Sequence, residues 1–381
     1  MPLLNKAEKF EVLQFVETDL LHETGGAAIE WYGTAATALF RTYLIARETT
    51  GVIHRTEVIL PSISCATPAN AALLAGLTPR FADVNPHTGM PTMESIQARW
   101  TPRTCAVVFI HLFGQTADLR PVAEWCRSKN ILLIEDLAQS QGASLPDGSP
   151  AGSIGDMSVY SFNPTKILEC GGGALLIRSE GLVAVANKLA ESNLLPQEID
   201  AAKASTLGMS YRNLHHSLVA LARSRVVQDI SGAFLKLQPA FSRLYLRRMK
   251  NPGALAESWP RLQQLLDHRK RNAELYETML RSGPWCLLDG WRQSGVCWRY
   301  SLLVDFPEKL VEFSEAVRRD GFHVSNLYWS VNEFFRPEDS CPYAERFARS
   351  VVNLWVDQTI DPEYVRQCAR SLLKHTDQQA A

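Results

Sequence analysis

The sequence predicts an α/β fold: a mostly parallel central sheet flanked by helices, followed by a smaller C-terminal α+β unit. Three observations predict it. From about residue 30, short apolar runs alternate with helix-like stretches, and such alternation requires crossover connections between parallel strands. The runs Ala106-Val-Val-Phe-Ile110 and Ile131-Leu-Leu-Ile134 are apolar throughout, as strands covered on both faces must be. The 381 residues also exceed what one hydrophobic core usually organises.

Taken in order, Thr34 to Thr49 reads as a helix, Glu57-Val-Ile-Leu60 as a strand, Ala66 to Leu77 as a helix and Arg80-Phe-Ala-Asp-Val84 as a strand. A strand over Cys105 to Leu112, a helix over Leu119 to Ser128 and a strand over Ile131 to Glu135 continue the pattern. Past Gly171-Gly172-Gly173, Ala174-Leu-Leu-Ile177 reads as a strand and Leu182 to Ser192 as a helix, whereas residues 195 to 213 read as loop. From Ser217 to Lys250, seven basic residues stand against one acid, Asp229, and the stretch runs into the turn signal Asn251-Pro252-Gly253. This turn divides the chain into a large unit over residues 1–250, with a basic insertion at about 217–250, and a small unit over 251–381. The small unit is predicted to hold a long helix over Trp259 to Arg281, a strand near Tyr300 to Val304, and helices over Pro307 to Arg319 and Pro362 to His375.

Composition narrows the function. With 39 basic and 40 acidic residues the formal charge is -1, so no global field attracts nucleic acid or an anionic membrane. The expected partners are small molecules or other protein chains. Met1 to Leu21 mixes charged with apolar residues and lacks the apolar stretch of a secretory signal. No run of about 18 apolar residues offers a transmembrane helix, and a cytoplasmic location is expected. Eight scattered cysteines without Cys-x-x-Cys or His-rich spacing predict reduced thiols and no metal site.

The chemistry is predicted around Lys166, which closes Ser161-Phe-Asn-Pro-Thr-Lys166 downstream of Asp136 and Gln139. A lysine amine can form a Schiff base with the aldehyde of pyridoxal phosphate, and a buried carboxylate can hold the cofactor's pyridine nitrogen protonated. Asp136 follows a buried strand, just past the carboxyl end where open α/β sheets bind ligands. Gln139 could reach the ring's phenolic oxygen, and Ser161 offers a hydroxyl to the phosphate. Trp31-Tyr-Gly-Thr-Ala35 enters a helix, whose first-turn amides with the Thr34 hydroxyl can cradle that phosphate. Plainer roles exist for each: Thr34 capping its own helix, Glu135-Asp136 opening a turn or holding magnesium, Gln139 as a surface amide and Lys166 as a solvated lysine.

Read together, Gly33-Thr34-Ala35, Glu57 to Ser62, Thr101 to Thr104, His111 to Gln115, Glu135 to Gln139, Gly152 to Asp156 and Ser161 to Lys166 resemble the DegT/DnrJ/StrS family of sugar aminotransferases. Similarity continues through Gly208-Met-Ser-Tyr-Arg212, Cys341 to Arg346 and the terminal helix, covering about residues 20 to 375. The resemblance implies a fold type I, pyridoxal phosphate-dependent aminotransferase, a homodimer with active sites at the subunit interface. Amino transfer from glutamate or a similar donor to a nucleotide-linked keto sugar is implied with it. By position, Lys166 would be the Schiff-base lysine and proton shuttle, Asp136 the partner of the pyridine nitrogen and Gln139 the contact to the phenolic oxygen. Thr34, Ala35 and Ser161 would hold the phosphate.

Several positions depart from the family pattern. Cys65 stands where the family stacks an aromatic ring on the cofactor. Ser210 replaces the asparagine that crosses the dimer interface towards the phosphate. Leu327 and Trp298-Arg299 stand where histidines are usual, and Cys170 precedes the glycines in place of an acid. Most of these changes fall on the acceptor side. Arg212 and Arg299 are candidates for gripping a substrate carboxylate, or else structural ion-pair partners. The basic residues from Arg223 to Lys250, interleaved with Phe234, Leu235, Leu237, Phe241, Leu244, Tyr245 and Leu246, could meet an anionic surface, or form a solvated face or a dimer contact. The competing functions are an aminotransferase acting on another carbonyl, such as a cyclitol ketone or an amino-acid precursor, and a non-catalytic regulator that keeps the cofactor fold.

Overall fold

The computed structural model describes residues 6–49, 54–190, 200–223, 231–248, 253–326 and 328–377. Eight strands form in the first half: β1 (Ala28–Tyr32), β2 (Glu57–Pro61), β3 (Ile63–Ser64), β4 (Thr78–Ala82), β5 (Thr104–Ile110), β6 (Leu132–Asp136), β7 (Met157–Ser161) and β8 (Gly173–Ile177). Seven of them make one sheet in the order β1-β8-β7-β6-β5-β2-β4. Strands β4, β2, β5, β6 and β7 run parallel, and β8 is antiparallel to both its neighbours, β7 and β1. Every residue of β5, β7 and β8 is buried, as strands covered by helices on both faces require. Pro79, which cannot donate to a ladder, sits in β4 at the sheet's edge.

The helix Ala35–Thr49 lies against this sheet and is buried without a break from Ala35 to Ala46. Charged groups are admitted only with partners. Buried Glu57 accepts a hydrogen bond from the Thr101 hydroxyl at 2.5 Å and pairs with Arg103 and with Arg80 at 3.6 Å. The Thr101-Pro-Arg-Thr104 motif therefore secures β2 rather than contacting a ligand.

In the second half, β9 (Trp285–Leu287), β10 (Tyr300–Val304), β11 (Val324–Ser325) and β13 (Val351–Leu354) form an antiparallel sheet in the order β11-β13-β10-β9. The helices Leu262–Leu280, Leu310–Arg319 and Pro362–Asp377 contribute Tyr276, Phe313 and Leu372 to its own core, with Leu302 and Val352 from the sheet. The short β12 (Trp329–Ser330) crosses back to pair with β3. A second tie is the turn after β5, where Val296 N donates to Gly114 O at 2.9 Å and Trp298 N to Phe113 O at 3.3 Å.

Two sequence expectations are corrected. Residues 201–213 are not loop but part of the helix Ala201–Arg223. Gly208, Ser205, Ser210 and Asn213 weaken the local helix signal, and packing of Tyr211 on Phe241 and Tyr245 supplies what propensity does not. The apolar residues of the basic segment do not form a surface either. Phe234, Leu237, Phe241, Leu244 and Leu246 are buried in the chain's main core and only Leu235 is well exposed, so the anionic-surface reading loses its apolar half. Arg225, Lys250, Asn251, Pro252 and Leu327 lie outside the described residues.

The Gly114 tie is sterically exacting: φ is 88° and a Cβ there would sit 1.6 Å from the Val296 carbonyl oxygen. Gly114→Ala is expected to cost about 2 kcal/mol or more in urea unfolding. Gly148→Ala, at φ 87° with nothing within 4 Å, should cost only the backbone term, about 1 kcal/mol. Equal midpoints for the two variants would contradict the tie.

Candidate active site

Strands β5, β6 and β7 end on the same edge of the sheet, delivering His111, Asp136 and Ser161 to one side of the molecule. Asp136 is the last residue of β6 and is 4 % exposed. Its Oδ1 accepts a hydrogen bond from Ala138 N at 2.9 Å. Burial raises its pKa, while the Ala138 amide and the Lys166 charge act to lower it. The neighbouring Glu135 is fully buried and its carboxylate is saturated by His111 Nε2 at 3.0 Å and by the amides of Gly152, Ile154 and Gly155 at 2.9, 2.8 and 2.6 Å. Burial pushes its pKa up, but these bonds outweigh burial and hold it below the usual range. No group of three His, Cys, Asp or Glu side chains that could hold a metal ion occurs among the described residues.

Lys166 sits on a turn that its surroundings over-determine. Thr165 adopts φ 76°, unusual for a β-branched residue, and its amide donates to Glu169 Oε1 at 2.8 Å. Trp298 Nε1 donates to Thr165 O at 2.6 Å, and buried Arg269 donates to Trp298 O at 2.9 Å and to Lys166 O at 3.4 Å. The lysine Nζ lies 5.5 Å from the centre of the Trp298 ring. Burial lowers the pKa of the amine below that of a solvated lysine, the charges of Cys65 and Asp136 oppose this, and Arg299 reinforces it.

The lysine opens on a cavity of about 310 Å³ walled largely by aromatic groups, among them Trp298, Tyr328, Trp329 and Trp355, with His215 and Cys65. Burial, with a smaller contribution from His216, pushes the His215 pKa down to about 4, so this imidazole is neutral near pH 7. Gln139 stands behind the cavity, accepting from Phe113 N at 2.7 Å through Oε1 and donating to the Tyr328 hydroxyl through Nε2. Both ends of the amide hold protein, so in this arrangement its reach towards a ligand runs through Tyr328. A second cavity of about 550 Å³ shares Ser325, Trp329 and Trp355 with the first but has no lysine.

The predicted phosphate residues converge nearby. Thr34 bridges to Gly172, Ser161 pairs with Gly173, and a Cβ on Gly173 would lie 2.4 Å from Ala35 N. Glycine is required there for the two chains to approach. A third segment, which the sequence did not mark as part of the site, crosses this point. Tyr245 O accepts from the Thr34 hydroxyl, Arg247 O accepts from Gly33 N at 2.9 Å, and Arg247 N donates to Thr37 Oγ1 at 2.8 Å.

Lys166, Asp136, Gln139, Ser161, Thr34 and Ala35 thus gather at the carboxyl edge of the sheet. Ser210 and Arg212 do not: both are exposed on the helix Ala201–Arg223, outside the cavity wall. Tyr328, Trp329, Trp355 and His215 escaped sequence reading because no local spacing links residues brought together from three separate stretches. Of the cavity wall, Cys65, Lys166 and the Trp298-Arg299 pair are the residues the sequence marks.

Known proteins resemble this chain in sequence and in fold. A dTDP-4-dehydro-2,3,6-trideoxy-D-glucose 4-aminotransferase from Saccharopolyspora spinosa is 28% identical over 326 residues, 84% of this chain and 77% of that protein. An L-glutamine:2-deoxy-scyllo-inosose aminotransferase from Streptomyces kanamyceticus is 33% identical over 141 residues, 37% of this chain and 33% of the relative. The solved structure of Helicobacter pylori PseC, an aminotransferase involved in the biosynthesis of pseudoaminic acid, superposes with a TM-score of 0.75 at 19% identity, covering 99% of this chain and 98% of that one. Residues 32–227 match the model of one family, and the chain belongs to it: the DegT/DnrJ/EryC1/StrS aminotransferase family.

Proposed function

We propose that the chain is a pyridoxal phosphate-dependent aminotransferase moving an amino group from an amino acid, with glutamate the expected donor, to a nucleotide-linked keto sugar. The observation that carries this reading is the half-buried Lys166 amine facing the cavity, its pKa lowered, within electrostatic reach of the buried Asp136 carboxylate. That donor set fits the cofactor, since it offers one nucleophilic amine and one anion, and the Thr34, Ala35 and Ser161 convergence suits a phosphate. When bound, pyridoxal phosphate supplies an electron sink for negative charge developing on the amino-bearing carbon.

The chain's residues do the rest. Lys166 would hold the cofactor at its aldehyde, and its free amine would move a proton to and from the substrate's amino-bearing carbon. A lowered pKa leaves more of the amine neutral near pH 7, which a base requires. The Asp136 carboxylate would keep the cofactor's pyridine nitrogen protonated. The Ser161 hydroxyl and the first-turn amides at Ala35 would hold the phosphate, while the Thr34 hydroxyl, which donates to Tyr245 O and accepts from Thr37 N at 3.2 Å, caps the helix beside it. The indoles of Trp298, Trp329 and Trp355 exclude water, strengthening each of these charges.

The dTDP-linked substrate in the name of the Saccharopolyspora relative supports the keto-sugar acceptor. The inosose substrate of the Streptomyces relative favours a second reading, a cyclitol ketone. Homodimerisation is supported by Met209, Leu214, Leu221 and Leu235, which are 54%, 55%, 41% and 50% exposed on the helices Ala201–Arg223 and Ser231–Leu235. A second copy on this face would bring Ser210 towards its neighbour's phosphate site. We also infer a cytoplasmic location and a division into large and small domains near residue 250. Among the described residues, no helix is long and apolar enough to cross a membrane.

Lys166→Ala is expected to lower turnover with glutamate and a dTDP-linked keto sugar by at least about 100-fold. Undiminished turnover would remove the basis of the assignment. Asp136→Asn should retain cofactor but lose about 100-fold in rate, and a loss within about threefold would contradict its role. Light scattering is expected to give twice the chain mass, and Leu214→Glu should shift it towards one chain. A wild-type protein of single-chain mass would refute the dimer.

A further inference from the structure

The wall of the reaction cavity holds a guanidinium with three of its five N–H donors unused among the described residues. Arg299 is 3 % exposed and lines the cavity together with Lys166. Its Nη1 donates to Asp357 Oδ2 at 3.0 Å and to Trp298 O at 3.3 Å. Its Nε and Nη2 make no hydrogen bond with any described residue. A buried arginine that served only as an ion-pair partner would present its two-nitrogen fork to the carboxylate. Here Asp357 takes one nitrogen, while its Oδ1 accepts from the Thr359 amide at 3.2 Å and hydroxyl at 2.5 Å.

The guanidinium is also fixed in plane. Its carbon lies 4.9 Å from the centre of the Trp298 ring and 4.5 Å from that of Trp355. Trp298 is the same indole that Lys166 Nζ approaches, so amine and guanidinium flank one ring. The charge balance points the same way. Arg269, 1 % exposed, stands close enough for its charge to act on Arg299, and Asp357 is the buried acid that both arginines share. Glu169 also acts on both, but it is exposed. A buried surplus of positive charge is costly unless an anion completes it.

We propose that Arg299 binds the carboxylate of the amino donor through its Nε and Nη2 edge, holding the donor's amino-bearing carbon towards Lys166. This rests on the aminotransferase reading and goes further: it selects Arg299 over Arg212 and defines the donor as a carboxylate-bearing amine. Asp357 and the two indoles act as positioning groups for the fork, and the carboxylate completes its hydrogen bonds.

The test is an absorbance titration of the cofactor-loaded protein, without acceptor, using glutamate and, separately, the carboxylate-free amine 1-aminopropane. Arg299→Gln is expected to raise the half-saturating glutamate concentration about 100-fold while leaving cofactor affinity and the response to 1-aminopropane unchanged. Arg299→Lys keeps a charge without the fork and should fall between, about tenfold weaker than wild type. It also keeps the test open if the glutamine variant fails to fold. Equal weakening towards both amines, or unchanged glutamate binding in either variant, would overturn the assignment. A wild-type protein whose spectrum responds to neither amine overturns the aminotransferase reading itself, and this assignment with it.

Discussion

One electrostatic constraint governs the site: an amine and a carboxylate that act on each other's charge are kept in surroundings that favour neither charge. Burial moves Lys166 and Asp136 in opposite directions, each towards its neutral form, and each partly restores the other's charge. Such a pair is costly in a folding sense and useful in a chemical one, because a base and an anion are both ready before any substrate arrives. The surrounding structure is arranged to support it. The Glu135 carboxylate is saturated by its own donors and cannot compete for the lysine, and the Lys166 turn is tied from both flanks.

The second half of the chain builds the site as much as the sheet does. Trp298 braces the Thr165 carbonyl, Arg269 spans from Trp298 O to Lys166 O, and the 296–298 stretch locks onto the Phe113-Gly114 turn after β5. The lysine's position is thus read from two cores at once. A disturbance at the Gly114 junction reaches the Lys166 amine through a short chain of hydrogen bonds.

Much of this was legible in the sequence. Fully apolar runs marked β5 and β6 because strands covered on both faces carry no polar alternation, and the strand-end rule then located Asp136. Lys166 and Ser161 followed from one short motif. The remainder was hidden for physical reasons. The helix Ala201–Arg223 draws on tertiary packing of Tyr211 that no local window contains, so a polar, glycine-containing stretch read as loop. The aromatic wall comes from Trp298, Tyr328, Trp329 and Trp355, whose proximity only the β3–β12 and β10–β13 pairings create. The Tyr245–Arg247 crossing over Thr34 likewise joins residues more than 200 positions apart.

The central claim is a covalent one: the Lys166 amine is the group that takes up pyridoxal phosphate. Incubation of the purified chain with the cofactor, reduction by borohydride and peptide mapping by mass spectrometry test it most directly. The account predicts a coloured protein that bleaches on reduction, with one phosphopyridoxyl group on Lys166. A colourless protein, or a label spread over surface lysines and absent from Lys166, would contradict it.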